Sequence, residues 1–213
     1  MFKRILLTLS LVVFAPLLAC AQEGSSYEAG KHYDVISPAI RTAAPDKIEV
    51  AEFFWYGCGH CYTFEPVVGQ WKKTIADDVS FRQIPAMWGG AMELHARAFY
   101  AAQALGVDEK MNPVLFQAMN VDRKPLRTEA EIAQLFADNG VSEADFMKAY
   151  KSFGVDSQVR QANATARGAR ITGTPSIMVN GKYLITARKA GSAANMLKVA
   201  DYLVEQERAA AGS

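Results

Sequence analysis

The sequence predicts an α/β protein in which a block of helices interrupts one sheet. Three observations carry this. Lys47 to Tyr56 is rich in Val, Ile and aromatic residues, as a central buried strand should be. From Ala91 to about Ala169 the pattern is almost wholly helical. Strand pattern then resumes at Ile177-Met178-Val179, followed by Asn180-Gly181, the strongest short hairpin signal in the chain. The helical block runs to roughly 80 residues, far beyond a normal crossover, so it reads as an insertion into a small α/β domain.

The elements follow in order. Gln22 to Gly30 reads as a flexible leader, and His32 to Ile36 as a short edge strand ended by Pro38. Ala43-Ala44-Pro45-Asp46 is a loop before the central strand. Gly59 to about Ile75 reads as a helix carrying Phe64, Val67, Val68 and Trp71, with Pro66 predicting a kink. Asp77-Asp78 is a turn, and Val79 to Ile84 alternates as a strand that Pro85 ends. Inside the helical block, Gly106, Asn112-Pro113, Lys124-Pro125, Asn139-Gly140 and Gly154 are the expected breaks. Thr128 with Glu131 is a capping box, and Ser142 with Asp145 a weaker capping signal. Lys182 to Ile185 forms the hairpin's second strand, and Ser192 opens a last helix through Met196, Leu197, Val199, Ala200, Leu203 and Val204. The expected divisions are residues 1–21 as an export signal, 22–88 and 170–213 as the two parts of the α/β domain, and 89–169 as the helical insertion.

The first residues justify the export reading. Lys3 and Arg4 precede an uncharged apolar core from Ile5 to Ala15, and Pro16 breaks it. The run is short for a membrane span. Ala19-Cys20-Ala21 fits ordinary signal peptidase, leaving Gln22 as the mature start; Leu17-Leu18-Ala19-Cys20 also resembles a lipobox with Cys20 lipidated. The periplasm is the expected location, a lipid anchor facing it the alternative. Losing Lys3 and Arg4 takes the formal net charge from +1 to −1, and no long basic run supports nucleic-acid binding.

Export also sharpens the cysteine reading. Outside the cytosol disulfides persist, and beyond Cys20 only Cys58 and Cys61 remain. One close pair does not staple a scaffold, so it serves chemistry or a metal. Zinc needs about four ligands, and the chain offers no second C-x-x-C and no nearby His pair. The pair follows a buried strand and opens a helix. A thiol there faces unpaired N–H groups and the positive end of the helix dipole, which favour the thiolate that attacks disulfides. Cys58 is therefore the expected nucleophile and Cys61, one turn inside, the buried resolving partner.

His60 between them is read as a donor that holds the thiolate ionised; the alternative is an exposed first-turn histidine without electronic effect. Glu52 sits in the apolar strand six residues before Cys58. Burying a carboxylate is costly. It is read as a proton acceptor for Cys61 through water, against a solvent-facing carboxylate or one paired with Lys72 or Lys73. Trp55, Tyr56, Tyr62, Phe64, Met87 and Trp88 cluster near the motif, either as an apolar face for unfolded chains or, for most of them, as core. His32 and His95 have no partner motif and read as structural or surface residues.

The segment from Glu52 through Cys58-Gly59-His60-Cys61 to Pro66, with Gly173-Thr174-Pro175-Ser176 and Val179-Asn180-Gly181-Lys182-Tyr183, resembles the thioredoxin fold of DsbA-like thiol oxidoreductases. The resemblance covers essentially the whole mature chain. It implies a thioredoxin fold with an inserted all-helical domain, and a cis Thr174-Pro175 bond packed against the disulfide. It also implies that Gly173 and Thr174 offer a backbone edge to a substrate strand, and that Met87-Trp88-Gly89-Gly90 is a hinge or groove wall. Gly59 replaces the Pro that many such sites carry, and Thr174 the Val of many oxidases. The implied activity is oxidation of unfolded exported proteins by the Cys58–Cys61 disulfide, with reoxidation by a DsbB-type membrane quinone reductase. No cofactor or metal is implied. The alternative is an isomerase or reductase kept in the dithiol state, though such isomerases usually carry a dimerisation domain for which the leader has no room; a monomer is expected. A non-catalytic binding or chaperone module is the reading from another class, and predicts an unreactive Cys58.

Overall fold

A computed structural model describes residues 26–212. The export signal and Cys20 lie outside them. The five-stranded sheet has the order β1-β5-β4-β2-β3, from β1 (Asp34–Val35), β2 (Ile48–Phe54), β3 (Val79–Pro85), β4 (Ser176–Val179) and β5 (Tyr183–Thr186). β2 pairs parallel with β3 and antiparallel with β4, so it is central, and all of its residues after Ile48 are buried. Side chains of a strand alternate between faces. Val50 packs with Phe64, Val68 and Trp71 of helix α1 (Gly59–Trp71) and with Met196, Val199 and Leu203 of the last helix, α8 (Ala193–Ala211). Ala51 and Phe53 face the other core, which runs into the helical block. Each fully buried Phe there contributes about 2–3 kcal/mol of hydrophobic stabilisation.

Between β3 and β4 the chain builds five helices: α2 (Met92–Ala104), α3 (Asp108–Asn120), α4 (Glu129–Asp138), α5 (Glu143–Tyr150) and α6 (Phe153–Gly168). Gly106 at φ 67° separates α2 from α3, and Gly140 at φ 83° separates α4 from α5. Two expected breaks are corrected. Asn112-Pro113 lies inside α3. Proline there forfeits one backbone bond, and burial of Met111, Leu115 and Phe116 holds the helix together. Gly154 falls in the first turn of α6, whose boundary is the Ser152 N-cap accepting from the Val155 N–H at 3.2 Å. The Thr128 capping box is modified: Thr128 Oγ1 accepts the Glu131 N–H, but the Glu131 carboxylate takes the N–H of Arg127 rather than that of Thr128.

At the other end of the sheet, Asn180 (φ 49°) and Gly181 (φ 65°) make the predicted tight turn. Gly181 is required twice over, because a Cβ there would lie 1.9 Å from the Ile40 carbonyl oxygen. Glu207 of α8 ties this hairpin down, accepting from Asn180, from Lys182 Nζ at 2.6 Å and from the Tyr183 hydroxyl at 3.0 Å. Three further differences from the sequence reading stand out. The leader is anchored from Tyr27, which packs edge-on against Tyr202 with ring centres 5.5 Å apart. Helix α1 stops at Trp71, four residues early, with its last turn tightened at Lys72 and Lys73. A one-turn helix, α7 (Ala187–Ala190), follows β5.

Candidate active site

Cys58 is the N-cap of α1, in extended backbone at φ −88° and ψ 110°. Its sulfur takes the place of the Ser or Asp oxygen usual at that position, accepting the Cys61 backbone N–H at 3.4 Å. Both cysteines are free thiols, Cys58 half-buried and Cys61 buried. The Cys61 thiol points its hydrogen at Cys58 and, with help from the Thr174 hydroxyl and the backbone N–H groups of Cys61 and His60, holds Cys58 down at about 5. The same interaction works the other way on Cys61: giving up its proton beside a thiolate, in a buried position, pushes its pKa far up. One sulfur is thus ionised at neutral pH and its neighbour is not.

Thr174-Pro175 is a cis peptide, as expected. It brings the Thr174 carbonyl oxygen to 3.4 Å from Cys58 Sγ. The un-ionised thiol donates to that oxygen; the thiolate instead receives the Thr174 hydroxyl. Pro175 is buried behind them, and Ser176 Oγ donates to the Gly173 carbonyl at 2.8 Å, bracing the loop. His60 is exposed, and what this residue delivers to the sulfur is its backbone N–H. Gly59 has open space at its Cβ position, the nearest group being Asn120 Oδ1 at 3.8 Å.

Glu52 is fully buried, and it is not solvent-facing. Burial and the neighbouring Glu65 carboxylate push its pKa up to about 8. Gln83 bridges the two acids, donating to Glu52 Oε2 at 3.0 Å and to Glu65 Oε1 at 2.6 Å. Glu52 Oε1 is buried with no hydrogen-bond partner among the described residues. Lys72 favours the charged form through its field, without an ion pair among the described residues.

The aromatic cluster divides. Tyr56 and Phe64 are core, 1% exposed, while Tyr62 and Trp88 reach the surface at 36% and 53%. Met87, Trp88 and Gly89 wall a cleft with Val159, Arg167 and Ile171. Three residues take roles that the sequence reading did not assign. His95 is buried and hydrogen-bonds the Trp55 indole. Asn120 Nδ2 donates to the Tyr56 carbonyl at 2.8 Å, and Asn112 Oδ1 accepts from the Tyr56 hydroxyl. All come from the helical block and grip the segment before Cys58. No local pattern marks an asparagine or histidine for such a distant contact. Among the described residues no group of His, Cys, Asp and Glu is arranged to hold a metal ion.

A family model described as DSBA-like thioredoxin domain matches residues 70–203, which begins nine residues past Cys61. Full-length relatives cover the site itself. The thiol:disulfide interchange protein DsbA of Pseudomonas aeruginosa is 38% identical over 208 residues, 98% of this chain and 99% of its own. The chain belongs to the DsbA family. The Azotobacter vinelandii DsbA is 44% identical over 181 residues, 85% of each chain. The crystal structure of the Pseudomonas aeruginosa DsbA superposes with a TM-score of 0.84 at 40% identity, covering 88% of this chain and 97% of the other. The Xylella fastidiosa DsbA gives 0.80 at 33% identity, with 86% and 98% covered. As a DsbA-type enzyme the chain is a thiol:disulfide oxidoreductase that oxidises exported proteins. No helix of the described residues is long and apolar enough to cross a membrane, and none of these relatives supports an anchor through Cys20.

Proposed function

We propose that the Cys58–Cys61 disulfide is the oxidant and that Cys58 exchanges with substrate. A substrate thiolate attacks Cys58 Sγ, the enzyme's S–S bond breaks, and Cys61 leaves with the electron pair and is protonated. A second substrate thiolate then attacks the substrate sulfur of the mixed disulfide, and Cys58 leaves as a thiolate. The substrate loses two electrons and two protons; the enzyme pair gains both electrons and one proton, and the other proton goes to solvent. Glu52, protonated at neutral pH, passes its proton through water to the leaving Cys61 and is reprotonated from solvent, so the enzyme keeps one of the two substrate protons; on reoxidation the same water path carries the Cys61 proton out through Glu52. Gly173 and Thr174 offer the backbone edge for the substrate strand, with Pro175 behind them, and His60 supports the thiolate through its backbone N–H.

The observation that carries this reading is the asymmetry of the two sulfurs: Cys58 near 5 at a helix N-terminus, Cys61 buried and far above its ordinary value. A stabilised thiolate favours the reduced pair, which makes the disulfide a strong electron acceptor. The enzyme works as a monomer in the periplasm and returns its electrons to a DsbB-type membrane quinone reductase. The test is the reduction potential by equilibration with glutathione. A potential well above thioredoxin's, about −270 mV, supports the oxidase. A potential near that value favours a reductase or isomerase held in the dithiol state.

A further inference from the structure

The Trp55 backbone meets both cysteines. Its carbonyl accepts the Cys58 backbone N–H at 3.0 Å, and its own N–H favours the ionised form of the Cys61 sulfur. Its indole lies against Gly57, where a Cβ would fall 2.4 Å from Trp55 Cζ2, so this ring fixes the backbone one residue before Cys58. The indole is held in turn from outside the sheet. Trp55 Nε1–H donates to His95 Nδ1 at 3.0 Å, with the two rings stacked at 23°. An indole is only a donor, so His95 Nδ1 must be the bare acceptor and Nε2 must carry the hydrogen. That hydrogen has its partner: the Leu126 carbonyl oxygen lies 3.0 Å from Nε2. His95 is 2% exposed, Leu126 is 2% exposed, and neither belongs to the sheet.

A chain of contacts therefore runs from the α3–α4 loop, through one imidazole on α2, to the backbone that carries both cysteines. We propose that His95 is a positioning residue for the dithiol: locked as its Nε2–H tautomer by Leu126, it sets the Trp55 indole over Gly57 and thereby the geometry and reactivity of Cys58 and Cys61. The helical block then tunes the redox centre as well as covering it. This rests on the oxidase reading of the same site, and it goes beyond that reading in assigning control of the sulfurs to a residue that touches neither.

The test uses the full mature chain carrying His95→Leu, Trp55→Phe, both together, or His95→Gln. Glutamine places an amide oxygen and an amide nitrogen about as far apart as the two ring nitrogens, so it can accept from Trp55 and donate to Leu126. The readouts are the thiolate absorbance of Cys58 against pH and the glutathione equilibrium constant. His95→Leu and Trp55→Phe should each lower the thiolate fraction at pH 5 about threefold to tenfold and move the equilibrium constant in the same direction. The double variant should do no more than either alone, because the two residues act through one bond. His95→Gln should recover most of the difference. If Leu at position 95 fails to fold, Trp55→Phe and His95→Gln still decide. Unchanged titration and equilibrium in Trp55→Phe overturn the proposal, as does a His95→Leu protein that is destabilised with its sulfurs unmoved. Wild-type protein that does not oxidise a dithiol peptide sinks the oxidase reading instead, and the two failures are thereby separate.

Discussion

Replacing Cys58 by serine should erase a pH dependence from the stability of the reduced protein. Folding depresses the Cys58 pKa to about 5, from an ordinary thiol value near 8.5. A group depressed on folding stabilises the native state above its unfolded pKa, and that stabilisation is lost as pH falls toward the folded value. Between pH 5 and pH 7 the folded sulfur is ionised and the unfolded one is not, so each unit adds about 1.4 kcal/mol, about 2.7 in all. Cys58 is only half-buried, and solvent screening cuts this to roughly 1.4 kcal/mol. Urea denaturation of wild type and Cys58→Ser, both reduced, at half-unit intervals over that window isolates the term, because every other titrating group is common to both. Above pH 7 the comparison mixes in Glu52, whose pKa also responds to the sulfur's charge. Wild-type stability should gain on the serine variant as pH rises, and the reduced wild type should outlast the oxidised form at neutral pH. Parallel curves for the two reduced proteins would show that the sulfur is not preferentially ionised on folding.

Other outcomes follow from the same geometry. Glu52→Gln should slow the release of Cys61 from the mixed disulfide about tenfold to a hundredfold, read by stopped-flow fluorescence. The same variant should denature later than wild type at pH 7, because the raised Glu52 pKa costs stability as pH climbs from the ordinary carboxylate range toward about 8; an equal or earlier midpoint refutes that. Thr174→Val removes one donor to the Cys58 thiolate, and at about 1 kcal/mol for such a bond its titration midpoint should rise by about 0.7 unit. Gly181→Ala should destabilise the fold by about 3 kcal/mol, since a Cβ meets the Ile40 carbonyl and the residue sits at φ 65°; a loss below about 1 kcal/mol by chemical denaturation would mean that the hairpin and the Ile40 loop separate easily.

The sequence by itself determined whatever depends on neighbours along the chain. The apolar run from Lys47 to Tyr56, of which Ile48–Phe54 forms the strand, the C-x-x-C opening α1 and the Asn180-Gly181 turn each follow from local pattern or from a backbone angle that few residues tolerate. The N-cap position of Cys58 was legible for the same reason, since a helix start is a local event. Pro113 shows the limit: a strong local breaker was overridden by the burial of Met111, Leu115 and Phe116, which only packing supplies. The tertiary structure alone decided which distant groups meet. Gln83 between Glu52 and Glu65, Asn120 on Tyr56 and His95 on Trp55 are contacts between residues 18 to 64 positions apart. Their residue types are unremarkable in sequence, and their roles arise because a buried donor or acceptor must find a partner wherever the fold brings one. Thus the sulfurs announce themselves along the chain, whereas the groups that tune them are chosen by how the helical block docks on the sheet.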